Sequence, residues 1–175
     1  PSVVLNPLSE LEKHQYEYIY FRTENNWTMR GAFYGAQVIF EELGYDKENL
    51  DAYRKYVFGT FEGNLLLEAS KKYTADETKK DIKNMEQEPF YIYINGSNPN
   101  CEKLIFENKE GQLQTLKRQM IQFNGSGSYA VIGADYEHSV VEGRGKGQRK
   151  GNLLLIADTR GKMMISYLSE IFEKV

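Results

Sequence analysis

Hydrophobic and polar positions repeat with two different periods along this chain, and the period changes near residue 89. Before that point helical spacing dominates. Phe33, Ala36, Phe40 and Leu43 fall at i, i+3, i+7 and i+10, which predicts a helix over Trp27–Gly44 with one apolar face, closed by Gly44 in a left-handed cap. Gly31 and Gly35, four apart, leave a shallow stripe on that helix where another element can approach. Ser9-Glu10-Leu11-Glu12 is a capping-box pattern that predicts a short helix anchored by Leu8 and Leu11. Tyr16, Tyr18 and Tyr20 alternate with Glu17 and Ile19, a period of two that predicts a first strand. Asn49–Phe58 and Asn64–Lys72 read as helices around Gly59 and Gly63. Thr74-Ala75-Asp76-Glu77 opens a charged helix that runs to Glu88 and stops at Pro89.

From Phe90 the pattern turns to β. Phe90–Ile94 is an aromatic and β-branched run, ended by the turn formers Asn95 to Asn100. Leu104–Glu107 and Gln112–Leu116 flank Asn108-Lys109-Glu110-Gly111 and read as a hairpin. Met120–Phe123 and Tyr129–Ala134 flank a second turn, and Val140–Val141 and Asn152–Ala157 a third. Met164, Leu168, Ile171 and Val175 then step by four, three and four as a C-terminal helix. The fold class expected is α+β: a largely antiparallel sheet of about five or six strands packed against N-terminal helices and a C-terminal helix. One domain is expected over 1–175, helix-rich over 1–88, strand-rich over 89–161 and helical over 162–175.

Composition fits a folded chain: 41% of residues are hydrophobic, and 13 Tyr and 9 Phe supply large buried areas. Cys101 is the only cysteine, so neither an intrachain disulfide nor a cysteine-based zinc site can form. No apolar run approaches a membrane span and nothing resembles a signal peptide, so the expectation is a cytoplasmic protein with no membrane partner. The net charge of −3 argues against coating nucleic acid through bulk charge. Its distribution is uneven, because Glu142–Gly151 carries +3 and leaves −6 on the rest.

That stretch is the main candidate for chemistry. Arg144, Lys146, Arg149 and Lys150 are interleaved with Gly143, Gly145, Gly147 and Gly151. A loop with so little side-chain bulk and so much positive charge suits an anion held by cations and backbone N–H groups. The expected function is therefore a binding module for a phosphorylated ligand or nucleic acid. Asn124-Gly125-Ser126-Gly127-Ser128 is also glycine-rich but leads into a predicted strand and lacks the lysine of a P-loop. The alternative is a hydrolase or nuclease that uses Asp135, Glu137 and Asp158 around a divalent metal such as magnesium, with His138 as acid or base. In an extended chain Asp135 and Glu137 share a face and His138 points the other way. His14 is expected at the surface. A third reading is an interaction or assembly module whose aromatic faces pair with another subunit, which makes a homo-oligomer possible.

Two short resemblances add little. Glu41-Glu42-Leu43-Gly44-Tyr45 resembles the end of the Nudix box, but that box's Arg-Glu pair would fall on Gln37 and Val38, and its earlier Gly and Glu on Thr23 and Met29. Those departures remove most of the implied metal ligands. Leu154–Arg160 and Gly125–Ala130 are similar to strand-end and loop motifs of proteasome-like N-terminal-nucleophile hydrolases, in reversed order and without a nucleophile at Pro1. No catalytic residue is implied by either.

Overall fold

A computed structural model describes residues 4–72, 81, 88–95, 101–108, 110–117, 138–143 and 151–175. The elements in chain order are α1 (Leu8–Lys13), α2 (Met29–Glu42), a 3₁₀ turn (Leu50–Ala52), β1 (Tyr53–Phe61), α3 (Asn64–Lys72), β2 (Glu88–Asn95), β3 (Cys101–Glu107), β4 (Leu113–Lys117), β5 (Ser139–Gly143), α4 (Thr159–Lys162) and α5 (Ile165–Ile171). Among the described residues the strands form two antiparallel sheets, β1-β2 and β4-β3-β5. This is the mixed, antiparallel α+β architecture expected.

Helix α2 is the centre of the core. Its N-cap Thr28 accepts from the Gly31 N–H, and Gly44 closes it at φ +74°, as the sequence predicts. Phe33, Ala36 and Phe40 are buried on one face, while Leu43 lies past the last turn and is half exposed. Phe33 sits edge-on to Tyr34, Tyr53 and Tyr167 at ring separations of 5.6, 5.4 and 5.3 Å. Such edge-to-face contacts align positive ring edges with negative faces. The glycine stripe has a specific use: Gly31 lies against the Ile19 carbonyl and Gly35 against the Trp27 ring. The segment before α2 thus folds back onto the helix it leads into.

Several sequence expectations need correction. The Ser9 capping box does not form; α1 begins two residues earlier, with Pro7 at its N-cap, and Asn6 Oδ1 accepts from the Leu8 N–H at 3.0 Å. Tyr16–Tyr20 is not a strand. Tyr16 and Tyr20 are exposed while Ile19 is buried, and only Tyr20 makes a bridge, to Trp27. Alternation supplied a strand pattern without a partner strand. Asn49–Phe58 is a 3₁₀ turn followed by β1, because its aromatic and β-branched residues pair with β2 from Tyr53↔Asn95 to Phe61↔Glu88, with a bulge before Gly59. Pro89 lies inside β2 and not in a helix stop. The predicted helix over 74–88 and the strands over 120–123 and 129–134 lie largely outside the described residues.

Asn152–Ala157, expected as a strand, makes only the Asn152–Lys174 bridge among the described residues and forms no hairpin with β5. The chain end lies between them: Val141 and Val175 exchange N–H···O bonds at 2.8 and 3.0 Å, Gly143 N–H donates to Glu173 O at 2.9 Å, Glu173 N–H donates to Gly151 O at 2.9 Å, and Leu153 N–H donates to Lys174 O at 2.8 Å. The C-terminal residues therefore act as an inserted strand segment. Val175, expected on the C-terminal helix, belongs to this segment.

A Cβ at position 31 would collide with the Ile19 carbonyl oxygen, which is backbone and unable to rotate away. Gly31→Ala is therefore expected to destabilise the protein by about 3 kcal/mol in urea unfolding, despite alanine's better helix propensity. A stability gain would show that the Ile19 backbone does not rest on α2.

Candidate functional site

The loop between Ile19 and Thr28 is held from three sides. Its base is closed by Thr28 N–H to Ile19 O at 2.9 Å and Phe21 N–H to Asn26 O at 3.1 Å. Its underside rests on Glu88, the first residue of β2, whose side chain has no exposed surface. One carboxylate oxygen accepts from the Tyr18 hydroxyl at 2.7 Å and the Arg22 N–H at 2.6 Å; the other accepts from the Thr23 N–H and Thr23 Oγ1. Burial pushes the Glu88 pKa up, but the hydrogen bonds from Arg22, Thr23 and Tyr18 outweigh it and hold the carboxyl below its ordinary value. Burial and the Glu88 charge in turn push the Tyr18 phenol well up, so it stays a donor.

The same loop serves two helix starts. Thr23 O accepts from the Leu65 N–H at 3.0 Å, Thr23 Oγ1 from the Gly63 N–H at 3.1 Å, and Glu24 Oε2 from the Asn64 N–H at 3.0 Å. Early N–H groups of α3, which have no partner inside the helix, are thus capped by residues forty positions upstream. At α4, Asp158 Oδ1 accepts from the Arg160 and Gly161 N–H groups at 3.0 and 3.1 Å. That turn is joined to the loop by Trp27 Nε1–H to Arg160 O at 2.9 Å and Arg160 Nε–H to Asn25 O at 3.2 Å. Asn26 is buried at the centre, and its Oδ1 has no partner among the described residues.

The result is a preorganised ridge. Arg22, Asn25, Asp158 and Arg160 are exposed on it, Glu24 is half-buried, and Trp27 lies underneath. It presents cations, carboxylates and amides close together, a set suited to hydrogen-bonding a polar ligand. It holds no imidazole. His14 pairs with Glu17 at 2.7 Å and stacks on Tyr34 at 3.5 Å, half-buried where a surface position was expected. His138 is exposed, with Nδ1 3.4 Å from Glu107 Oε2.

Of the residues singled out from sequence, Asp135, Glu137, Arg144, Lys146, Arg149 and Lys150 lie outside the described residues. Asp158 is the N-cap of α4, with Oδ2 also 3.3 Å from Arg160 Nη1. His138 and Ala157 line one largely apolar cavity of about 480 Å³, and Asp158 is not among its lining residues. Among the described residues no three His, Cys, Asp or Glu side chains are grouped to hold a metal, and no helix is long and apolar enough to cross a membrane. Sequence reasoning missed Glu88, Thr23, Glu24 and Asn26. The available signals were the single tryptophan next to a Thr-Glu-Asn-Asn turn and a glutamate directly before Pro89.

Glu88→Gln keeps the side-chain shape but removes the charge and one acceptor. It is expected to cost about 2 kcal/mol at pH 7. Because the folded pKa is depressed, the contribution is present above the ordinary value of 4.5 and is lost as pH falls through the lower folded value. Urea unfolding of the two proteins should therefore converge on acidification; a gap that persists unchanged in acid would assign the loss to shape and not charge.

Comparison with known proteins places this geometry. The model of the DHHW protein family matches residues 7–175. A crystal structure of a DHHW family protein from Eubacterium siraeum DSM 15702 is 21% identical with a TM-score of 0.68, over 97% of this chain and 54% of that one. Bacillus cereus PatB1 is 16% identical with a TM-score of 0.66, over 97% of this chain and 58% of that one. PatB1 with a sulfonyl adduct is 15% identical with a TM-score of 0.62, over 92% and 51%. The chain thus spans about half the length of these solved structures. No curated protein matches it. Read as residue codes, the designation spells Asp-His-His-Trp, a tetrapeptide absent here; the single tryptophan, Trp27, is preceded by Glu24, Asn25 and Asn26. With a match that runs from Pro7 to Val175, this chain belongs to the DHHW family.

Proposed function

We propose that this chain is a binding member of the DHHW family that takes a polar ligand on the Arg22–Asn26 loop and the Asp158–Arg160 turn, without imidazole-assisted catalysis. The observation that carries the reading is the pair Asn25 and Asn26 ahead of Trp27 in a loop clamped by Glu88. An imidazole exchanges a proton near neutral pH, and a carboxamide does not. The carboxylates nearby are committed as well: Glu24 and Asp158 cap helix starts, and Glu88 holds the loop. A rigid loop of donors and acceptors without a proton shuttle favours recognition over turnover.

The sulfonyl adduct of the PatB1 structure offers the contrast. Sulfonyl electrophiles report a side-chain nucleophile activated by a neighbouring base. Phenylmethylsulfonyl fluoride is expected to add no mass to this protein at neutral pH, and p-nitrophenyl acetate to be hydrolysed no faster than in buffer. A stoichiometric adduct on a serine or threonine would overturn the reading. On the binding side, at least one polar metabolite is expected to raise the melting temperature of the wild-type protein but not that of Arg160→Ala.

A second reading keeps the basic loop over 144–150 as the grip for a phosphorylated ligand or nucleic acid. It is favoured by one feature: Gly143 and Gly151 both hydrogen-bond the backbone of Glu173, so the two stems are pinned to one residue. If all four cations engage single-stranded nucleic acid, the affinity should fall with salt at a log–log slope of about −3. A slope near zero for a fluorescent oligonucleotide, or unchanged binding after all four cations become glutamine, would remove this reading.

A further inference from the structure

Away from the ridge, α1, one face of α2 and the segment after α2 enclose a cavity of about 440 Å³. That volume is in the range of small-ligand pockets. Arg30, Phe33, Tyr34 and Gln37 follow one another at i, i+3, i+4 and i+7, so a single helix face supplies its wall. The stacked rings of His14 and Tyr34 line it as well.

Most polar groups of the wall are spoken for. Glu17 accepts from His14, from Arg30 Nη1 at 2.8 Å and from the Tyr34 hydroxyl at 2.9 Å. Lys47 bridges Glu10 at 3.3 Å and Glu41 at 2.8 Å. Two groups are not. Gln37, only 2% exposed, receives the Glu48 N–H on Oε1 at 2.8 Å, while its Nε2 has no partner among the described residues. Arg30 Nε is buried and unpartnered in the same way. Both unmet groups are donors, and sealed donors without acceptors are costly to keep. An acceptor-bearing ligand would satisfy them.

The charge of the wall narrows the ligand further. Glu10, Glu17, Glu48 and Asp51 outnumber Arg30 and Lys47, which leaves the lining at −2 with His14 neutral. A dianion would be repelled. A ligand with a carboxylate for Gln37 and Arg30 and an ammonium group for the Glu48–Asp51 end matches both the donors and the excess of carboxylates.

We propose that this cavity is a binding site for a small zwitterion of the amino-acid type, its carboxylate taken by Gln37 Nε2 and Arg30 Nε and its ammonium group by the acidic side formed by Glu48 and Asp51. The site stands apart from the Arg22–Asn26 ridge and does not depend on what that ridge binds. The test is a melting-temperature and titration-calorimetry screen of the 175-residue chain with the common amino acids and glycylglycine, beside acetate and methylamine as the two halves. At least one zwitterion is expected to bind and raise the melting temperature, and neither half to do so. Gln37→Leu and Arg30→Lys, the second of which keeps the charge and removes the Nε donor, should each weaken that binding by about tenfold or more. If Gln37→Leu fails to fold, Arg30→Lys decides the matter. A screen in which no zwitterion binds, binding equalled by acetate or methylamine alone, or undiminished affinity in a folded variant overturns the proposal.

Discussion

One buried carboxylate fixes the geometry on which the ridge depends. Glu88 has no exposed surface, and its four hydrogen bonds go to Tyr18, Arg22 and Thr23, residues more than sixty positions earlier in the chain. A buried charge is tolerated only where such bonds replace its hydration. The exchange joins the start of β2 to the loop ahead of α2, two parts that share no regular secondary structure. With that joint made, Thr23 and Glu24 are positioned to cap α3, and Trp27 to meet Arg160.

Close approach is the second requirement. Gly31 and Gly35 let the Ile19 backbone and the Trp27 ring lie directly on α2, and Gly63 lets the start of α3 lie against the backbone of Thr23 and Glu24. These contacts leave no room for a side chain at any of the three glycines. The ridge is therefore positioned by backbone packing as much as by polar bonds, and its exposed side chains project from a base with little freedom to rearrange.

How much of this was legible beforehand follows from what each signal measures. The apolar spacing of Phe33, Ala36 and Phe40 located α2, because burial on one face leaves a 3.6-residue period. Turn residues 108–111 located the β3–β4 hairpin for a similarly local reason. Tyr16–Tyr20, expected as a strand, and Asn49–Phe58, expected as a helix, both carry closely spaced aromatics, and a distant partner decides what such a run becomes: β2 makes most of the second a strand, while among the described residues the first has only the Tyr20–Trp27 bridge. The ridge was illegible for the same reason. Glu88, Thr23, Glu24 and Asp158 look like ordinary polar residues in sequence, and their roles arise from contacts across 40 to 70 positions or from a cap at a four-residue helix. The basic loop drew attention by composition, which records charge but not placement.

The indole of Trp27 is the only one in the chain, and it sits at the seam where the loop meets α4. Its emission is consequently a private signal. In a molecule with thirteen tyrosines, light excited at the red edge of the absorption band comes from this single seam. Fluorescence will report the opening of the seam, circular dichroism the loss of helices and strands, and any difference between the two curves will measure how independently the seam comes apart.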